Sequence, residues 1–596
     1  MTFFFRLNQA VRIDEPVNFF LGLNSRLLGA LLLVCLWGYP AAGYSQDSDA
    51  WPHGYMAAVA NPLATEAAAE MLARGGHAVD AAIAAHAVLG LLEPESSGLG
   101  GGGFMLVFQR ADRETRFFDG REAAPAGARA DMFMNGDQPK GYFEATQNGN
   151  AVGVPGAVAL YKHVHDEYGK LPWADLFEPA IRLAADGFAV PSKLAGYLPG
   201  MARMTTLDEN EGTADYFYPD GEPLIAGEII RNPDYAETLR QIATQGPTVF
   251  YTGAIAEEIV AAARAGEDGG TLTMADMASY SVIERPALCG AWREMSVCTA
   301  TPPSSGAMQI MVVNLYDRLL PDDANRNQRI RAFVDAQRLA YADRDHYFGD
   351  PDFVDVPVAQ LLNSRYLDYR ANNPVSPGAM PAHGNPAEVL GEETGAVFSD
   401  DSTFEPAGTS HLSIVDADGN AVSATMTVES AFGSKRWAAG FVLNNEMTDF
   451  ARRYNPDEPE PANMVRPGAR PRSSMSPTIV LNSAGDLFMV TGSPGGNSIP
   501  AYTAKTLLAI VDWQYSAADA VQFPNIIARG QAVRVETGVE PGPAIAVGLR
   551  EYGYEVQESQ GENSGIHVIV ARDDTLEGAA DPRRLGTVES GTADEQ

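Results

Sequence analysis

Between residues 61 and 92 apolar and small positions recur at helical spacing. Asn61 precedes Pro62 at the first helical position, and Gly75-Gly76 closes the pattern, which predicts a capped helix over 61–76. The next stretch, Ala78–Leu92, is apolar all round and predicts a helix buried inside a layered structure rather than lying on a surface. Short β-rich runs predict strands at 104–108 and 115–118. From about residue 157 to 350, helical stretches such as 235–244 alternate with polar turns. After residue 408 the texture changes to strands. Runs 412–415 and 421–428 flank the turn Asp416-Ala417-Asp418-Gly419-Asn420 as a hairpin, and further strands are predicted at 441–443, Thr478–Leu481 and 487–491. Residues 451–471, rich in Pro, Asn and charge, read as an exposed loop.

Composition narrows the chemistry. A chain of 596 residues, 45% hydrophobic, has material for a large core, and its 58 glycines and 39 prolines follow no short period. The formal net charge of −35 repels phosphate backbones and anionic lipid headgroups, and no Lys/Arg cluster offsets it, so nucleic acid is not expected as a partner.

Arg26 precedes an apolar run from Leu27 to Gly38, followed by Pro40-Ala41-Ala42-Gly43-Tyr44, where small residues admit a signal peptidase. The run is about a dozen residues, short of the roughly 20 of a spanning helix, so an export signal over residues 1–46 is expected and a stable membrane span is not. Export implies a periplasmic or extracellular location. Of the three cysteines, Cys35 falls in this segment, leaving Cys289 and Cys298. A hairpin turning at Arg293-Glu294 places these two opposite each other in a non-hydrogen-bonded pair, suited to a disulfide; the alternative is two buried thiols.

Gly98-Leu99-Gly100-Gly101-Gly102-Gly103 formally satisfies G-x-G-x-x-G, with Asp119 beyond it. A dinucleotide site needs a strand before the glycines and a helix after them, and here the order is reversed. Close packing of a helix-to-strand connection is the better reading. His163-x-His165 is no better as a metal pair, because positions two apart on a helix point roughly 200° apart. Gly408-Thr409-Ser410-His411 stands directly before the hairpin. A threonine hydroxyl is a poor nucleophile unless a base adjoins it, and an N-terminal threonine supplies its own α-amine, which titrates near pH 8 (about 7.7–8.0). Gly408, lacking a Cβ, can take up an unusual backbone conformation during attack on its carbonyl.

The segment 409–450, TSHLSIVDADGNAVSATMTVESAFGSKRWAAGFVLNNEMTDF, resembles the start of the small subunit of γ-glutamyltranspeptidases. PGARPRSSMSPTIV, TGSPGGNSIP, FDGREAAP, NPLATEAAAEMLARGGHAVDAAIA and TPPSSG resemble the same family and fall in its order along the chain. The resemblance implies an α/β (α+β) fold, a four-layer αββα sandwich of the N-terminal-nucleophile hydrolase type. Large (47–408) and small (409–596) subunits, cut from one precursor between Gly408 and Thr409, build it jointly. It further implies that Thr409 is the nucleophile, that Thr427 hydrogen-bonds it, and that the Gly495 and Gly496 amides form the oxyanion hole. The donor is then a γ-glutamyl compound such as glutathione, and the acceptor is water, an amino acid or a peptide. The donor's α-carboxylate falls to Arg121 with the Ser473 and Ser474 hydroxyls, and its ammonium to Glu446 and Asp449. No metal or organic cofactor is implied.

Three departures bear on substrate. Glu429 stands where many members have asparagine, Arg472 replaces an apolar residue before the two serines, and the loop after Phe450 is short, with Tyr454 the one candidate for an aromatic tip. A glutaryl-type cephalosporin acylase shares the fold and nucleophile and is the rival reading; a catalytically silent exported binding protein is a third.

Overall fold

The computed structural model describes residue 51 and residues 53–393, 395–572 and 575–592. The expected export signal, with Cys35, lies outside the described residues. Chain order gives β1 (Tyr55–Val59), α1 (Pro62–Ala73), α2 (Ala78–Leu92), β2 (Gly102–Gln109), β3 (Glu114–Gly120), β4 (Ile283–Pro286), β5 (Leu288–Trp292) and β6 (Met295–Thr299). There follow α3 (Gly306–Leu319), α4 (Arg326–Tyr347), β7 (Gly408–Val415), β8 (Ala421–Glu429), β9 (Thr478–Leu481) and β10 (Leu487–Gly492). The scaffold ends with α5 (Ile499–Val511), β11 (His567–Arg572), β12 (Thr575–Ala580) and β13 (Thr587–Gly591). The strands form two antiparallel sheets, ordered β13-β1-β7-β8-β2-β3-β4 and β12-β11-β10-β9-β6-β5.

Strand alternation assigns each face. Phe104, Leu106 and Phe108 point to Ile479, Val490 and Ile569 between the sheets, while Met105, Val107, Leu412 and Ile414 pack on α1 and α2. On the far side Val480, Met489, Val568 and Val570 meet α3, α4 and α5. The result is a four-layer αββα sandwich.

Local signals explain the elements that position the site. Asn61 caps α1, its Oδ1 accepting from the Leu63 amide at 3.1 Å, and Gly75 beyond the helix has φ +77°. Every residue of α2 is buried, as its all-round apolarity predicts. The helix 235–244 runs slightly longer, as Pro233–Gln245. Strands β2 and β7 begin earlier than the apolar pattern because their leading residues are glycines and polar side chains, which carry no alternation. A Cβ on Gly101 would lie 1.9 Å from the Thr427 carbonyl oxygen, so the glycine run lets the α2–β2 connection cross β8 closely. His163 packs against Phe118, while His165 faces the Leu171 carbonyl. Cys298 pairs with Cys289 across β5 and β6, and the two form a disulfide.

The reading of 451–471 as an exposed loop needs correction. Its middle is open, but Asn463 and Arg470 are buried. The Asn463 side chain donates to the Asp449 carbonyl at 2.7 Å and accepts from the Arg472 amide at 2.8 Å; Arg470 pairs with Asp119 at 2.6 Å. Polar composition marks this stretch as loop, yet the loop folds inward because buried partners receive its side chains.

Candidate active site

Gly408 and Thr409 are consecutive residues of β7. They lie opposite Glu429 and Thr427 of β8, so a bulge skips Val428. A Cβ on Gly408 would come within 2.3 Å of the Glu429 carbonyl oxygen. Glycine is therefore required here for space, and a left-handed φ, which the sequence left open, is not used. The Thr427 hydroxyl sits at the centre. It donates to the Gly408 carbonyl oxygen at 2.6 Å, accepts from the Glu429 amide at 2.8 Å, and lies 3.3 Å from Thr409 Oγ1. One hydroxyl thus polarises the Gly408 carbonyl and contacts the threonine next to it.

The face of β7 that carries Thr409 continues through His411 and Ser413 and is buried between the sheets. His411 hydrogen-bonds Thr425 at 2.8 Å and Ser413 at 3.1 Å. Burial, reinforced by His567, pushes the His411 imidazole well below the usual histidine range, so it is neutral and satisfied. Arg584 donates to the Thr409 carbonyl at 2.9 Å and holds the strand in place.

Gly495 and Gly496, at φ +136° and +56°, form the turn between β10 and α5. A Cβ on Gly496 would lie 2.2 Å from the Glu405 carbonyl oxygen and 2.4 Å from that of Pro406. Asn497 clamps the same segment, its amide donating to the Glu405 carbonyl at 3.0 Å and its Oδ1 accepting from the Glu405 amide at 2.7 Å. The four residues before Thr409 therefore lie across the glycine turn.

Arg121 is fully buried and paired with both acids expected to bind an ammonium, Glu446 and Asp449 at 2.6 Å. The sequence assigned the arginine and the acids to opposite ends of a ligand; the structure joins them to each other. Burial raises the carboxyls of Glu429, Glu446 and Asp449, and it pushes Glu122 up to about 7 despite the Arg121 guanidinium. Three of these acids, Glu446, Asp449 and Glu122, face the Arg121 guanidinium, and Glu429 faces Asp449 and Lys435, so carboxyls outnumber cations here, an arrangement that suits an ammonium. Glu429 is held by the Asn445 side-chain amide. Ser473 and Ser474 line the same small cavity as Thr409, Thr427 and Gly496, with a volume of about 20 Å³. A larger cavity, about 1020 Å³ and lined by Asp234, Glu258 and Trp437, lies apart from these groups. Arg472 is buried behind the serines and pairs with Asp401 at 3.1 Å. Tyr454 packs on a separate cluster around Phe133 and Met464.

Sequence reasoning missed Glu405, Arg344, Asn445, Asn497 and Arg584. For Arg344 a signal existed: α4 carries Asp335, Arg338, Asp343 and Arg344 at buried positions, and charged residues on a core-facing helix mark internal ion pairs. The others act through contacts with residues far away in sequence, which no local pattern records.

If the Thr427 hydroxyl assists scission, Thr427→Val slows self-cleavage by roughly 10²–10³, the usual loss on removing one such donor, while Thr427→Ser stays near wild type. A gel time course measures this; an unchanged Thr427→Val rate removes the hydroxyl from the mechanism.

The stacked sheets, the threonine at the start of β7 and the glycine turn facing it define a hydrolase of the N-terminal-nucleophile class. The chain belongs to the γ-glutamyltranspeptidase family, whose family model, Gamma-glutamyltranspeptidase, matches residues 64–591. It is 34% identical over 571 residues to the glutathione hydrolase proenzyme of Escherichia coli K12, covering 93% of this chain and 95% of that protein. It is 35% identical over 567 residues to the proenzyme of Pseudomonas aeruginosa, covering 92% and 96%. Among solved structures it is similar to the cephalosporin acylase of Bacillus halodurans, with a TM-score of 0.78, 25% identity, and coverage of 94% of this chain and 99% of that one.

Proposed function

We propose that the chain is a self-processing γ-glutamyltranspeptidase and glutathione hydrolase in which Thr409 is the nucleophile. Thr409 Oγ1 attacks the Gly408 carbonyl carbon, the C–N bond breaks as the nitrogen takes a proton, and water hydrolyses the resulting ester. The Gly408 carboxylate and the Thr409 α-amine are freed. The large subunit is then 47–408 and the small subunit 409–596. In the processed enzyme the α-amine takes the Thr409 hydroxyl proton as Oγ1 attacks the γ-amide of glutathione, and it passes that proton to the leaving amine. The Gly495 and Gly496 amides stabilise the oxyanion, and the γ-glutamyl ester is released to water or to the amine of an amino acid or peptide.

The observation that carries this reading is the Thr427 hydroxyl, hydrogen-bonded to the Gly408 carbonyl and within reach of Thr409 Oγ1. Export is part of the proposal, supported by the apolar run 27–38 and by the Cys289–Cys298 disulfide, which suits an oxidising compartment.

The surplus of acids around Arg121 favours a donor with an ammonium over a glutaryl donor, which has none. The expected result is at least a 100-fold higher kcat/KM for γ-glutamyl p-nitroanilide than for glutaryl p-nitroanilide. A preference for glutaryl turns the assignment to an acylase, and a chain that stays uncut and inactive turns it to a binding protein.

A further inference from the structure

Three segments far apart in sequence bring two histidines and an aspartate to one point. His346 lies in the last turn of α4, His383 in the irregular stretch 380–385, and Asp400 in the stretch that leads to Gly408. A ring nitrogen from each histidine and a carboxylate oxygen of Asp400 all lie within 4.8 Å of one another. None of the three residues lines the cavity at Thr409. A second such group among the described residues, His163, Glu167 and Glu284, is exposed, and Arg116 already pairs with its two acids.

The backbone around the first group is fixed by contacts that do not involve its own side chains. The Gly384 amide donates to Asp343 Oδ1 at 2.8 Å, and the Gly384 carbonyl accepts from the Tyr347 hydroxyl at 2.7 Å. The Ala382 carbonyl accepts from Arg370 Nη2 at 3.0 Å, so both neighbours of His383 are tied down. The Asp401 amide donates to the Asp345 carbonyl at 2.9 Å, which sets Asp400 against α4.

Hydrogen bonding alone leaves the group incomplete. His346 Nδ1 bonds Asp400 Oδ1 at 2.7 Å. His383 Nδ1 lies 3.2 Å from the same oxygen, yet it is buried and has no hydrogen-bond partner among the described residues. Stacking is the cause. The two imidazoles have centroids 3.5 Å apart and lie 16° from parallel, so one oxygen cannot sit in the plane of both rings, where a ring nitrogen bonds. A cation lifts that restriction, because it takes a lone pair from each nitrogen and one from the carboxylate. Tetrahedral bonds of about 2.0–2.2 Å put neighbouring ligand atoms about 3.3 Å apart. The His383–Asp400 edge already has that length, and the His346–Asp400 edge needs to open slightly. The His383 side chain is 34% exposed and can turn to fan the rings apart, while Asp400, 66% exposed, leaves a further position to water.

We propose that His346 Nδ1, His383 Nδ1 and the Asp400 carboxylate bind a Zn²⁺ ion, with water as the fourth ligand. Two imidazoles and one carboxylate suit a borderline cation such as Zn²⁺, whereas Ca²⁺ and Mg²⁺ take oxygen ligands. The ion fastens the stretch leading to Gly408 onto α4, so the end of the large subunit keeps an anchor after the scission proposed above. Binding of the ion itself does not depend on scission.

The test is equilibrium dialysis of the purified protein, without a histidine tag, against Zn²⁺, with Co²⁺ as a spectroscopic probe. Wild type should bind a single Zn²⁺ per chain at micromolar free ion and show the visible bands of four-coordinate Co²⁺. His383→Ala and Asp400→Asn should each weaken Zn²⁺ binding by at least ~30-fold and abolish the Co²⁺ bands. His163→Ala should change the affinity by less than about twofold. Circular dichroism checks that each variant is folded, and the partial exposure of His383 and Asp400 lets both be replaced without opening the core. A wild-type protein that binds no Zn²⁺, binding that survives both His383→Ala and Asp400→Asn, or binding lost with His163→Ala overturns the proposal. A chain that stays uncut yet binds Zn²⁺ through these residues supports the site and counts only against the reading of Thr409.

Discussion

Thr409→Ala should leave the purified chain as one uncut band, with no fragment beginning at residue 409, and should lower γ-glutamyl transfer by at least ~10³-fold. The loss has two sources. Without Oγ1 nothing attacks the Gly408 carbonyl, so the α-amine is never freed, and Glu405–Gly408 stays across the glycine turn. The processed enzyme would also lack its nucleophile, and groups acting as a unit lose most of their effect when one is removed. Thr409→Ser keeps the hydroxyl and should process, which separates loss of chemistry from loss of fold. The alanine variant should fold normally, because among the described residues Thr409 Oγ1 has one hydrogen-bond contact, with Thr427 at 3.3 Å. N-terminal sequencing of any small fragment checks the result; cleavage elsewhere, or normal scission by the alanine variant, rejects Thr409 as the nucleophile.

The second large effect is expected at Arg121. Its guanidinium is 1% exposed and faces Glu446, itself fully buried, and Asp449. Arg121→Gln strands these carboxylates, and leaving a buried charge without its partner costs about 3–5 kcal/mol. The loss depends on pH in a definite direction. Burial first, and the neighbouring acids second, raise Glu446 and Asp449 above their ordinary values, and Glu122 stands at about 7. A carboxyl with a raised folded pKa penalises the fold only where it must ionise, so the penalty is absent below the ordinary carboxylate range, near pH 4, and grows as pH rises through 7. Urea midpoints of wild type and Arg121→Gln should therefore converge near pH 4.5 and separate at pH 8. A gap independent of pH would assign Arg121 to packing rather than to charge.

Much of the architecture was legible before any coordinates. α2 is identifiable because apolar residues surround it, and α1 because Asn61, Pro62 and Gly75 punctuate it. The β7–β8 hairpin follows from its alternation and from Asp416-Ala417-Asp418-Gly419-Asn420. The disulfide register follows from counting outward from Arg293-Glu294. The inward course of 462–472 was not legible, because polar composition reports only that a stretch is irregular and not which buried groups accept its side chains.

By itself the sequence nominated candidates for the site, since Thr409, Thr427, Arg121, Glu446, Asp449, Ser473, Ser474 and the two glycines stand in segments with a recognisable family pattern. It also determined the layered α/β class, through the periods of its apolar residues. Only the tertiary structure decided how the site residues are paired. Alternation in Thr409-Ser410-His411-Leu412-Ser413 reads locally as a strand with one polar side facing water, yet stacking of the second sheet buries that side. Whether Arg121 meets a ligand or Glu446, and whether Arg344 and Glu405 belong to the site at all, depends on contacts between residues 61 to 328 positions apart. Charge and hydrogen-bond balance in a buried site are set by the full surroundings of each group, and no segment of sequence carries its surroundings with it.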